Sequence, residues 1–278
     1  MESLRAFDWR GQIVRYREVG QGAPVVFLHN GGSDHRIWDY QVPGFAKKFR
    51  VLAIDLPGFG ASDRPDRPYD LDFYVDFLSD FIAAQDGGKP ILVGNCIGAA
   101  IALEYASKNP SSVEAMILFN VLGGRAMIRR GAGIDLPPNV ATRALLRWLG
   151  MILRRSRFVR KLVTRGLFGR APPRIGDPIF AHLLELSARP EQVGSRWNLI
   201  RGLDSFGRFG EGFPRPDLPP TLLFWGTANR VISEETGRKF SQWLRPTRTV
   251  WVAGAGHLAM AESPEMVNSE IEKFLDEK

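Results

Sequence analysis

One short run sets the chain's single cysteine at a corner: Gly94-Asn95-Cys96-Ile97-Gly98, within ILVGNCIGAA. An apolar run precedes it and small residues follow, so it reads as a strand, a sharp turn and a helix. The central residue of such a turn takes φ > 0, and bulky side chains two positions to either side would clash. Gly94 and Gly98 relieve that clash. The helix N-terminus beyond points free N–H groups and a partial positive charge at the central side chain. A thiol there is expected to be pushed toward thiolate. Cys96 is therefore a candidate nucleophile. The competing reading is a packing residue, since free cysteine is among the most buried residue types. The five residues alone leave both readings open.

The elements that must position this corner are visible along the chain. QIVRYREVG alternates apolar and polar residues, as an edge strand does. APVVFLHN, FRVLAIDLPG, KPILVGN, VEAMILFN, PPTLLFWG and RTVWVAG read as buried strands. Between them lie helical patterns. Asp70 is placed to cap LDFYVDFLSDFIAAQ, Ile97 to Lys108 reads as a helix of small residues, and Glu265 to Leu275 as a closing amphipathic helix. Such alternation predicts an α/β fold, a mostly parallel sheet with helices on both faces. The rhythm breaks between Val121 and about Asp217, where helical patterns run without a strand. The expected organisation is a core of residues 1–120 and 218–278 with a helical insertion at 121–217.

Composition narrows the setting. One cysteine excludes an internal disulfide, and MESLRAFDWRGQ lacks the apolar core of a signal peptide. No window approaches a membrane-spanning apolar run. A soluble, cytoplasmic setting is expected. The net charge of +7 is local: residues 141–170 hold nine Arg or Lys and no acid, while the rest is nearly neutral. That pattern argues against a general nucleic-acid-binding surface. There is no cysteine cluster and no histidine spacing of a ligand kind, so no metal site is expected. DLPGFG has no Lys-Ser/Thr after it, so its glycines read as a tight turn rather than a phosphate loop.

Five motifs in order give the chain a resemblance. VVFLHNGGSDHRIW, VLAIDLPGFGASDRP, GNCIG, TLLFWGTANRVIS and VAGAGHLAMAESPE together resemble the α/β-hydrolase superfamily, nearly end to end outside the insertion. The resemblance implies an eight-stranded-type sheet with a helical cap. It places Cys96 at the nucleophile and His257 at the general base, and makes His29 structural. His35 and His182 match no motif. The oxyanion hole is implied at the N–H of Ile97 and at an amide after His29, from Gly31 or Asn30; the family's usual glycine is replaced by Asn30. Asn tolerates unusual backbone conformations, and its side chain is a further candidate for substrate contact. Dehalogenases of this fold use a carboxylate nucleophile, which Cys96 does not supply.

Both positions where the family presents its acid carry an amide, Asn229 in FWGTANRV and Asn120 at the end of MILFN. A thiol needs less help from a base than a hydroxyl, and an amide oxygen can orient a histidine ring, as in Cys-His-Asn proteases. The expected triad is Cys96–His257–Asn229, with Asp204 in reserve as an acid. The expected reaction is cleavage of an ester, thioester or lactone through an acyl-cysteine, with no cofactor. Two alternatives stand beside it: an acyltransferase or cyclase that passes the acyl group to a non-water nucleophile, and an inactive homologue that only holds a ligand. ATRALLRWLGMILRRSRFVRKLVTRGLF reads as one or two basic amphipathic helices. Besides plain solvation of its arginines, that charge suits an acidic acyl carrier protein, a coenzyme A ester or an anionic membrane surface.

Overall fold

The computed structural model describes residues 4–123, 148, 152, 155–170, 177–210 and 217–277. Eight strands form one sheet in the order β1-β2-β4-β3-β5-β6-β7-β8. They are β1 (Arg5–Trp9), β2 (Gln12–Val19), β3 (Pro24–Leu28), β4 (Arg50–Ile54), β5 (Ile91–Asn95), β6 (Ala115–Phe119), β7 (Thr221–Gly226) and β8 (Arg248–Val252). From β4 to β8 every neighbouring pair is parallel, while β2 runs antiparallel to both β1 and β4. This is an α/β-hydrolase fold.

The edge of the sheet differs from the expectation. β2 is an interior strand, because β1 folds back on it through a two-residue turn at Arg10 and Gly11, both with φ > 0. Trp-Arg-Gly-Gln carries no Asn-Gly signal, so the turn itself does not announce this hairpin.

The central strands β3, β5 and β6 are buried at every position, as sheets covered on both faces require. One core lies under α2 (Leu71–Ala83) and α3 (Ile97–Lys108), where Phe73, Phe77 and Phe81 pack with Trp9 and Leu92. The other centres on Phe27, Trp38, Phe119 and Phe224, and α9 (Pro264–Asp276) closes it through Val267, Ile271 and Phe274. Asp70 caps α2 as expected, its Oδ1 accepting from the Phe73 N–H at 2.8 Å.

Between β6 and β7 the described residues contain helices and no strand: α4 (Arg157–Arg165), α5 (Pro178–Leu186) and α6 (Glu191–Gly202). α6 lies over the oxyanion loop, since a Cβ on Gly31 would meet the side chain of Leu199. The segment after α4 packs on the turn after β8, where Gly169 and Gly256 leave no room for a Cβ.

Candidate active site

Cys96 stands between β5 and α3 with φ 56° and ψ −110°, a conformation that strains any residue with a side chain. Its N–H bonds to the Phe119 carbonyl, and its own carbonyl accepts from Ala100 and Leu122, so the corner is held on three sides. A Cβ on Gly94 would run into Gly98, and one on Gly98 into the Leu28 carbonyl. The two glycines permit the close approach of strand and helix that creates the corner.

Cys96, Ile97, Gly31, Asn30 and His257 line one cavity of about 190 Å³. Leu122, Leu167, Leu199, Leu203 and Ile232 give it apolar walls. Cys96 is 8 % exposed and His257 2 %. No hydrogen bond joins Sγ to the imidazole among the described residues. Burial changes the expected charge state. It pushes the Cys96 thiol up to about 12, against a smaller lowering effect of the Ile97 N–H. It pulls His257 down to about 4. Burial therefore works against the expected thiolate and against an imidazolium, and the lowering effect of the Ile97 N–H on the thiol is the smaller one.

The Asn229 contact also departs from expectation. Asn229 reaches His257, but with its amide nitrogen, 3.2 Å from Nδ1. Its Oδ1 accepts from the backbone N–H groups of Val231 and Ile232 at 2.9 and 3.0 Å. Those two donors fix which way the amide faces. The NH2 then donates to Nδ1, and the neutral ring carries its proton on Nε2. In the expected triad the polarity is opposite, with Nδ1–H donating to an oxygen. A carboxylate here would satisfy the loop with one oxygen and the ring with the other; an amide has only one.

The remaining candidates sort cleanly. Asn120, φ 45°, does not reach the imidazole ring. Its Nδ2 donates to the His257 carbonyl at 3.1 Å, and its Oδ1 accepts from Gly226 N–H. Asn95 donates to the same carbonyl at 3.2 Å and to Asn30 Oδ1 at 3.3 Å. Asn30 Oδ1 also accepts from Ser33 Oγ. Three buried amides thus tie the histidine loop to the oxyanion loop, and the Asn30 side chain is committed to this network rather than to substrate. The positive φ of the oxyanion loop falls at Gly32. Asp204 is exposed in a turn after α6 and makes no bond to His257. His29 is structural: Nδ1–H donates to the Asn30 carbonyl and Nε2 accepts from Leu56 N–H.

Several residues without a sequence signal also shape the site. The His257 N–H donates to the Leu167 carbonyl at 2.7 Å. Glu262 accepts from Gly256 and Gly169 N–H, joining the histidine loop to the segment after α4. Asp34 pairs with His182 of α5 at 2.7 Å, and His35 with Asp55 at 2.7 Å. Ligand atoms of Asp34, His35 and Asp55 lie within 4.8 Å of one another, but each is engaged in these pairs or with backbone N–H groups. Arg196 of α6 lays its guanidinium on Gly32, and it has no ion-pair partner among the described residues. Burial holds its pKa below the ordinary arginine value.

A strained corner facing a histidine across a pocket places the chain among the enzymes built on this sheet. The sequence pattern of the Alpha/beta hydrolase family spans residues 25–270, and the chain belongs to that family. It is 29% identical over 281 residues to the 2-hydroxy-6-oxo-6-(2'-aminophenyl)hexa-2,4-dienoic acid hydrolase of Metapseudomonas resinovorans, covering 96% of this chain and 89% of that protein. It is 25% identical to the AB hydrolase superfamily protein YisY of Bacillus subtilis, covering 92% and 93%. An α/β hydrolase fold protein from Burkholderia ambifaria shares the fold with a TM-score of 0.77 at 19% identity, covering 96% of each chain.

Proposed function

We propose that this α/β hydrolase cleaves an acyl ester, thioester or lactone through a covalent acyl-Cys96 intermediate. The strained backbone of Cys96 carries the reading. Holding a ligand requires no φ of 56° at a buried cysteine beside a histidine. With thiol and imidazole both neutral, attack is concerted. Sγ bonds to the carbonyl carbon while its proton moves to Nε2 of His257. The N–H groups of Ile97 and Gly31 receive the developing oxyanion. The imidazolium then protonates the leaving group, and Nε2 accepts a proton from the water that hydrolyses the thioester.

This sequence needs Nε2 free and Nδ1 protonated. Asn229 must then turn its oxygen to the ring and release Val231 and Ile232 N–H. Two lost hydrogen bonds cost about 2–3 kcal/mol, which makes the productive tautomer roughly a hundredfold less populated. Turnover is accordingly expected to be slow for this fold. Arg196 of α6, unpaired and packed on Gly32 of the oxyanion loop, favours an acyl substrate that also bears a carboxylate. The Metapseudomonas relative is named for such an acid. Arg196→Met is expected to raise KM about tenfold for carboxylate-bearing esters and leave neutral esters unchanged; equal effects on both would remove that preference.

The inverted Asn229 amide favours a second reading, a homologue that binds an acyl compound without turning it over. Exposing the protein to a panel of acyl esters and thioesters separates the two. Acyl mass on Cys96 that decays with product release supports catalysis, whereas tight binding without an adduct supports the second.

A further inference from the structure

The cations of the acid-free stretch find no role in the site chemistry, and its described part has a definite surface. α4 exposes Arg157, Lys161 and Arg165, spaced four residues apart and so in one stripe. Beside that stripe stand Phe158 and Leu162, 76 % and 62 % exposed. Trp148 and Ile152, again four apart, are exposed at 56 % and 41 %, and Arg155 is exposed. None of the four cations has an ion-pair partner among the described residues. Thr164 and Phe168 are buried, so the helix is anchored by one side and presents the other.

We infer that this face of α4 docks the protein on an anionic lipid bilayer, with Phe158 and Leu162 entering the interface and the cation stripe meeting the headgroups. Aromatic and aliphatic side chains standing out beside a row of cations match an interfacial helix, which gains from burial in acyl chains and from attraction to anionic lipid. Residues 136–176 contain no acid, so the cations of this stretch meet no neutralising charge from their own segment. No described helix is long and apolar enough to cross a membrane, so the attachment is peripheral. The same segment runs directly into Leu167, which lines the catalytic cavity and holds the His257 backbone. Docking therefore brings the cavity wall close to the lipid surface. The inference does not depend on the acyl-cysteine reading.

The test is co-sedimentation of the full chain with two kinds of vesicle: phosphatidylcholine alone, and phosphatidylcholine with about 30 mol% phosphatidylglycerol. Partition is expected to be at least about tenfold stronger on the anionic vesicles and to collapse near 0.5 M salt, roughly where screening falls below 5 Å. Phe158→Ser with Leu162→Ser, and separately Arg157→Glu with Lys161→Glu, are each expected to weaken it about tenfold. Cys96→Ala is expected to bind like the parent. Circular dichroism of each variant confirms that lost partition is not lost folding. Absence of binding to anionic vesicles at low salt overturns the inference, as does equal binding to both vesicles. Capture by an acidic protein without vesicle binding overturns it in favour of a protein partner. Undiminished partition of the Phe158/Leu162 variant overturns the insertion and leaves surface adhesion alone.

Discussion

The two ends of the candidate relay treat their substituted residue differently. At the elbow, Cys96 keeps the strained turn, the flanking glycines and the Ile97 amide. At the loop after β7, Asn229 keeps the backbone contacts that shape the loop, through Val231 and Ile232. There, however, it offers His257 a donor where the relay needs an acceptor. Position is preserved at both ends, but the Asn229 amide selects the tautomer with its proton on Nε2, which leaves the Cys96 thiol no acceptor on the ring. A nucleophile can change element and remain a nucleophile, but an acceptor exchanged for an amide must first satisfy its own loop. In the proposed mechanism the relay is limited at its acid end.

Breaking the elbow should have the largest effect. Cys96→Ala is expected to lower kcat/KM for acyl esters by about 10³-fold or more, read by steady-state kinetics. Retained turnover would remove the covalent mechanism. Gly98→Ala tests the corner's backbone. Its Cβ would collide with the Leu28 and His29 carbonyls, and a loss of about 3 kcal/mol is expected in urea unfolding. Gly88→Ala, at positive φ but with open space around it, should cost less.

Sharpening the other end should produce a gain. Asn229→Asp lets one carboxylate oxygen keep the loop while the other accepts Nδ1–H. A rise in kcat/KM of about 10²-fold is expected. Cys96→Ser alone should be nearly inactive, and Cys96→Ser with Asn229→Asp should regain turnover. An unchanged Asn229→Asp rate would show that Asn229 does not limit the relay.

The smallest effects concern protonation. With the thiol raised to about 12, iodoacetamide should label Cys96 more slowly than a free thiol at pH 7 and faster as pH climbs. His257, held near 4 against an ordinary 6.5, favours the folded state fully above pH 6.5. That contribution is lost as pH falls from 6.5 toward 4, because the unfolded chain takes up the proton first. His257→Gln should therefore flatten part of the acid limb of a stability–pH curve.

Much of this was legible in the residues. Seven strands, the Asp70 cap and the Ile97–Lys108 helix follow from apolar runs and capping chemistry, which are local. The elbow was legible because its two glycines flank the cysteine within five residues, although the contact that requires Gly98, with the Leu28 carbonyl, is distant in sequence. The hairpin of β1 was not, because its turn lacks a strong local signal. The Asn229 orientation was not either: it is set by N–H groups two and three residues on, and only a folded loop reveals which atom they claim. The charge states of Cys96 and His257 depend on walls supplied by Leu122, Leu167 and Leu199 from three separate segments. The Asn30–Asn95–Asn120 network likewise joins three strand ends that are distant in sequence.

The most direct test of the central claim is time-resolved mass spectrometry of the peptide that carries Cys96, after mixing with an acyl ester, for the parent and for Asn229→Asp. The account predicts an acyl adduct on Cys96 in both proteins, forming about 10²-fold faster in the Asn229→Asp protein. Product release with no adduct on Cys96, or no adduct and no product in either protein, would contradict it.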